Sequence, residues 1–296
     1  MKKNLLIAAL LMLCCMLPAC KGEEQPLKVE AEKDHLAAPG LIGSYLELEQ
    51  GSYQVDFNQE LTKASVSLKF KIATAVIAKD VEVKIAVLDA NHKPLCDMKS
   101  DDKAFAAAMG EAGKTFTVKF DADINQQQAD SLKANAKYVS IVEAEGNLTY
   151  PATGTIAGKP VEVVLEIDTE DGYVYGGYRY SKISGEALIA IKGKYDKKTN
   201  GLTIVETYNG MYTGNWQITL NPKDGAKFKG KMTNSRNHTY PVILSEDTSL
   251  SALKVPEPAY EDVDETIRML PAEFSSAPLD GVEEYAVEEY GAEEEF

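Results

Sequence analysis

The sequence predicts a mainly β protein: a β-sandwich domain, then an antiparallel β-meander or barrel-like domain, then a disordered acidic tail. Three observations predict it. Turn dipeptides ending in Gly recur at even intervals between residues 160 and 244. Apolar and polar residues alternate between them, the period of a strand with one buried face. From Val255 the composition turns acidic and proline-rich.

The turns are Asp171-Gly172, Ser184-Gly185, Asn200-Gly201, Asn209-Gly210 and Asp224-Gly225, with a longer one at Asn234 to His238. Gly, Asn and Asp tolerate the positive φ of tight hairpins. Four strands alternate cleanly. Val161, Val163, Leu165 and Ile167 oppose Glu162, Glu166 and Asp168. Tyr212, Gly214, Trp216, Ile218 and Leu220 share a face. Phe228, Gly230 and Met232 oppose Lys227, Lys229 and Lys231, and Tyr240, Val242 and Leu244 close the set. Weaker strands at 173–181, 186–195 and 202–207, with 148–156 in front, bring the number to about eight, the spacing of an all-β sandwich or barrel. Closing the sheet removes exposed edges.

Candidate site residues fall in this domain. Tyr173 and Tyr175 share a face, as do Tyr178 and Tyr180; a bulge at Gly176-Gly177 would put all four on one side. Such a strip, with Arg179 and Trp216, suits a glycan or small ligand. Tyr is also a favoured strand residue, and ordinary packing explains the same pattern. Glu206 shares parity with Leu202 and Ile204, so it points inward, as a ligand contact or an acid of raised pKa.

The stretch Thr213-Gly214-Asn215-Trp216, followed by Phe228-Lys229-Gly230, resembles short pieces of avidin-type and lipocalin-type barrels. The likeness covers about twenty residues. In those families the motif opens the barrel, whereas here it comes late, so biotin or lipid binding does not carry over.

The N-terminus is a targeting segment. Lys2 and Lys3 precede an apolar run from Leu5 to Met16, too short to span a bilayer comfortably. Leu17-Pro18-Ala19-Cys20 resembles the lipobox of bacterial lipoproteins. The resemblance implies cleavage after residue 19, a diacylglyceryl thioether on Cys20 and, in many species, N-acylation, so that several acyl chains hold the protein on a membrane. Lys21-Gly22-Glu23-Glu24 is similar to the export signal of surface lipoproteins of the Bacteroides group, which implies an outer-membrane, surface-exposed location rather than the periplasmic face. Residues 20–40 then read as lipidated Cys and tether, with Pro26 and Pro39. Cys14 and Cys15 leave with the signal peptide and Cys20 is lipidated, so only Cys96 remains and no intramolecular disulfide forms.

Residues 41–146 are also strand-rich. Segments around 45–49 and 53–57 flank Gln50-Gly51; Val66 to Ile72, Val81 to Val87, Phe116 to Phe120 and Val139 to Glu143 alternate. A short Ala-rich helix is expected at 101–109 and another at 126–135, capped by Asn125 or Asp123. About seven strands suggest an immunoglobulin-like sandwich, claimed as architecture only because the Cys–Trp–Cys hallmark is absent. Residues 147–246 form the barrel-like domain and 247–296 the tail.

From Val255 the chain has fourteen acids and one base, Arg268, against a net charge of −15 for the whole. The body is therefore nearly balanced. The tail reads as disordered and solubilising; cation binding and docking on basic strands such as Lys227 to Lys231 are the alternatives.

Function classes narrow accordingly. No basic stripe suits nucleic acid. His35, His92 and His238 lack metal spacing, and no nucleophile or phosphate-loop motif occurs. Asp97, Asp101, Asp102, Asp121 and Asp123 lack the spacing of a calcium loop. No catalytic residue, metal or cofactor is assigned. The expectation is a non-enzymatic envelope lipoprotein that binds a glycan or small ligand through Tyr173, Tyr175, Tyr178, Arg179, Tyr180, Glu206 and Trp216. The alternatives are a structural lipoprotein with an envelope protein partner and a hydrolase with an unrecognised site.

Overall fold

One strand belongs to both halves of the molecule. In the computed structural model, which describes residues 26–33, 36–100, 103–181, 189–209, 211–223 and 225–250, strand β8 runs unbroken for 19 residues, from Tyr138 to Ile156. The sequence suggests a break at Gly146-Asn147. The chain stays extended there because the Gly146 N–H donates to Thr169 Oγ1, and because a glycine fits where a Cβ would press within 3.0 Å of the Val81 Cα. The expected boundary after residue 146 therefore falls inside a strand. The signal peptide, Cys20, His35, Asp101, Asp102, the Ser184-Gly185 turn and the acidic tail lie outside the described residues.

The C-terminal part of β8 pairs with β9 (Lys159–Asp168), and the path continues through β10 (Tyr173–Tyr180), β11 (Ile189–Asp196), β12 (Gly201–Tyr208), β13 (Met211–Asn221), β14 (Lys227–Asn234) and β15 (Thr239–Glu246). β15 then pairs back onto β8, Val242 opposite Ile156. All these neighbours are antiparallel, so the meander closes into an eight-stranded barrel without free edges. Turn chemistry matches: Gly172, Asn200, Asn209, Gly225 and Asn237 adopt positive φ.

Inward residues fill the barrel. Tyr150, Val163, Leu165, Ile167, Val174, Tyr178, Trp216, Ile218 and Phe228 are all buried, as in small barrels packed by their own side chains. Glycines allow the sharp curvature. A Cβ on Gly176 would sit 2.0 Å from the Val164 carbonyl oxygen, and one on Gly193 2.2 Å from that of Thr203.

In the N-terminal half, β5 (Ile77–Leu88) lies between β8 and β6 (Pro94–Ser100), while β1 (Leu27–Ala31), β3 (Ser52–Phe57), β4 (Lys63–Ile72) and β7 (Thr115–Asp123) form a second run, with the short β2 (Leu46–Leu48) also on β4. The two runs meet through pairings of two residues each, Lys99 and Ser100 with Asp121 and Phe120, and Glu30 and Ala31 with Tyr138 and Val139. Two layers thus join at narrow corners.

The second corner corrects the expected tether: β1 lies in the sheet because Val29 and Ala31 are buried in the core. Two helices complete this half, α1 (Lys103–Met109) and α2 (Gln126–Asn135). Asn125 caps α2 in a reciprocal box with Gln128. Cys96 is a buried thiol whose pKa is pushed up by burial.

Candidate functional site

Glu206 is a buried carboxylate near the end of the barrel away from the N-terminal half. It points inward from β12 between Ile191 of β11 and Gly214 of β13. Three donors converge on it. The Tyr178 hydroxyl donates to Oε2 at 2.8 Å and Trp216 Nε1 donates to the same oxygen at 3.0 Å. Thr213 Oγ1 donates to Oε1 at 2.7 Å. A charge-assisted hydrogen bond is stronger than a neutral one, and a buried carboxylate without donors is costly. The three donors therefore hold the acid, and the acid in turn fixes two large rings.

The rings pack on one another. Tyr178 stands edge-on to Trp216 at 5.2 Å between centroids and to Tyr180 at 5.7 Å, favourable geometry for aromatic pairs. Burial raises the Tyr178 pKa, and the Glu206 charge raises it further. The half-buried Tyr180 is also raised, chiefly by burial.

The sequence-predicted strip divides between two faces. Strand β10 keeps a regular register from Tyr173 to Tyr178 against β11 and from Val174 to Tyr180 against β9, with no bulge at Gly176-Gly177. Tyr178 and Tyr180 face inward with Glu206 and Trp216. Tyr173, Tyr175 and Arg179 face outward. The Lys194 ammonium lies 3.4 Å from the centroid of the Tyr173 ring. Arg179 pairs with Glu162, Nε at 2.7 Å and Nη2 at 2.6 Å from the same oxygen. Gly176 is needed for close approach to β9, not for an extra residue.

The bulge lies elsewhere. The register between β12 and β13 shifts at Glu206 and Thr207, which leaves Thr213 unpaired opposite. That shift lets Thr213 reach Glu206. It also moves Tyr212, expected on the Trp216 face, to the outside, where its hydroxyl donates to Asn215 Oδ1 at 3.0 Å. Sequence alternation alone does not reveal the extra residue, because both Thr213 and Tyr212 are common in strands.

The bulge has a visible result at the hairpin tip. Tyr208, Met211 and Tyr212 are 41%, 67% and 45% exposed. Tyr208 and Met211 pair across the hairpin and share one face, and Tyr212, paired with Thr207, stands on the other, so the tip presents large side chains to solvent on both faces. None of Tyr208, Met211 and Tyr212 was singled out in the sequence as a ligand contact.

A separate polar cleft of about 270 Å³ lies where β5, β6, β8 and β9 meet, with Lys84, Glu143, Glu145, Asn147, Asp168 and Glu170 in its lining. Lys84 is paired with Glu143. Among the described residues, no group of three or more His, Cys, Asp or Glu is placed to hold a metal ion, and no helix is long and apolar enough to cross a membrane. Compared with models of known protein families and with curated proteins, the chain matches none.

Proposed function

We propose that this chain is a lipid-anchored envelope protein without catalytic activity, and that the far end of its barrel binds a glycan. The observation that carries the reading is the hairpin tip of Tyr208, Met211 and Tyr212, seated on the cluster that Glu206 holds rigid. Sugar rings stack on exposed aromatic faces, and the tyrosine hydroxyls supply polar contacts. Trp216 and Tyr178 serve as foundation, since their polar atoms are occupied by Glu206. A rigid support limits the ordering cost of binding.

The test is a panel of immobilised neutral and acidic oligosaccharides probed with the soluble chain. The reading expects saturable binding that is lost on combining Tyr208→Ala with Tyr212→Ala. Retention of binding in that variant contradicts it. The anchor is tested separately: Cys20→Ala is expected to abolish incorporation of labelled palmitate and release the protein from the membrane fraction.

A second reading is favoured by Met211, the most exposed of the three. Its flexible thioether suits a protein partner better than a sugar. Binding of an envelope protein that Met211→Ser weakens, with no glycan bound, supports that alternative.

A further inference from the structure

Strand β14 carries Lys227, Lys229 and Lys231 on the outward face of the barrel, all three exposed. Lysines often guard the free edge of a sheet, but β14 is not an edge: β13 pairs with one side of it and β15 with the other. Opposite charges across neighbouring strands stabilise a sheet, and like charges close together do not. Elsewhere the chain follows this rule, as where Lys84 of β5 meets Glu143 of β8. On β14 it does not. The residues directly opposite the lysines are Asn221, Thr219 and Gln217 on one side and Ser245, Ile243 and Pro241 on the other, none of them acidic.

Among the described residues, none of the three lysines has an ion-pair partner, and neither has Arg236 in the exposed turn after β14. No acid interrupts the stretch from Lys227 to Arg236. In a chain with 46 acidic and 31 basic residues, four unanswered cations in one strip set up a local positive field.

The strip leads to the hairpin tip. Ser235, beside Arg236, donates its N–H to the Thr213 carbonyl at 2.8 Å, and Thr213 adjoins Tyr212 on the outside of the barrel. From Lys227, opposite Asn221, the path along β13 to Tyr212 is about 30 Å long. The lysines are two residues apart, a spacing of about 6.8 Å in a strand.

We propose that the ligand is an acidic polysaccharide, which runs from the hairpin tip along β14 with its carboxylate or sulfate groups against Arg236, Lys231, Lys229 and Lys227. The inference rests on the glycan reading of the tip, and adds the charge of the ligand and the direction of its chain. Charge complementarity selects an anion. The width of the strip selects a single linear chain: no basic residue stands directly opposite the lysines on either neighbour, unlike the broad basic face that a duplex needs. The flanks suit a sugar. Thr219, Asn221 and Ser245 offer neutral hydrogen-bonding groups beside the cations. Lysine is a hydrated point charge on a flexible stem, which suits anionic groups spaced along a solvated polymer.

Affinity measurements on the soluble chain test the proposal. The probes are oligogalacturonate, chondroitin sulfate and carboxyl-reduced oligogalacturonate as the neutral counterpart. The acidic sugars are expected to bind more tightly than the reduced one. Combining Lys227→Gln, Lys229→Gln and Lys231→Gln is expected to weaken their binding at least about tenfold at low salt, and to leave the reduced oligomer unaffected. A control variant combines Lys63→Gln, Lys69→Gln and Lys119→Gln, which removes the same charge from lysines that pair with Asp123, Glu49 and Asp121 in the N-terminal half. It is expected to bind as the parent does. Equal weakening in both variants would mean a general charge effect and overturns the proposal. So does equally tight, β14-dependent binding of phosphatidylglycerol vesicles or of a single-stranded oligonucleotide. If acidic and reduced sugars bind alike and only Tyr208→Ala with Tyr212→Ala weakens them, the strip is overturned and the hairpin reading stands. If only the β14 variant weakens binding, the hairpin reading falls and the strip is the site. Binding of none of the three sugars counts against both.

Discussion

The hydroxyls of Tyr45 and Tyr150 lie 2.8 Å apart, a buried hydrogen bond between residues 105 positions apart in the chain. Tyr45 follows the turn Ile42–Ser44 in the N-terminal half. Tyr150 projects into the barrel, where its ring meets Phe228 edge-on at 5.6 Å. Together with the shared strand β8, this bond ties the two halves. The chain is therefore expected to unfold in one transition, seen alike by fluorescence and far-ultraviolet dichroism. A double-mutant cycle of Tyr45→Phe and Tyr150→Phe should give a coupling of about 1 kcal/mol. Two separated transitions would contradict the tie.

Glu206 anchors the far end of the barrel. Glu206→Ala leaves the Tyr178, Trp216 and Thr213 donors buried without an acceptor, and is expected to destabilise by about 3 kcal/mol or more. Glu206→Gln retains one carbonyl acceptor and should cost roughly half as much. Chemical denaturation followed by Trp216 fluorescence reads both. A neutral Glu206→Ala would show that the cluster is not a support.

The curvature glycines behave differently from open ones. Gly176→Ala forces a Cβ against the Val164 carbonyl and is expected to cost about 2 kcal/mol or more. At Gly110 nothing lies within 4 Å of an added Cβ, so Gly110→Ala should change stability by less than about 0.5 kcal/mol. Thermal midpoints of the two variants decide the point.

The buried tyrosines set a limit at high pH. Burial, as the largest cause, raises the pKa of Tyr45, Tyr150 and Tyr178, and pushes Tyr195 up to about 12. A phenol whose folded pKa exceeds its unfolded value near 10 contributes stability that is fully present below pH 10 and is lost as pH rises through the folded pKa. Stability to urea should thus be level through neutral pH and fall steeply between about pH 10 and 12. Ultraviolet titration should show the exposed tyrosines ionising first and the buried ones only with unfolding.

The alternation of Val161 to Ile167 and of Gly214 to Leu220 made the barrel strands legible, and parity alone placed Glu206 inside. Three features were not legible. Gly176-Gly177 has the composition of a bulge, but Gly176 serves close packing instead, and only the neighbouring strand distinguishes the two. The extra residue of the true bulge is Thr213, next to a Gly214 that keeps the strand's apparent alternation. The sequence places a domain boundary after Gly146, but hydrogen bonding to Thr169, 23 residues away, keeps the chain there in a strand. In each case the deciding partner is distant in sequence, which local pattern cannot report.

Fluorine NMR of the chain labelled with 3-fluorotyrosine tests the proposed function most directly, because it separates rim from foundation in one titration. Phe substitutions assign the signals. The account predicts that an oligosaccharide bound on the panel shifts the Tyr208 and Tyr212 resonances saturably, with Tyr150 unmoved. Saturable shifts confined to other tyrosines, or no shift with any oligosaccharide, would contradict a glycan site at this hairpin.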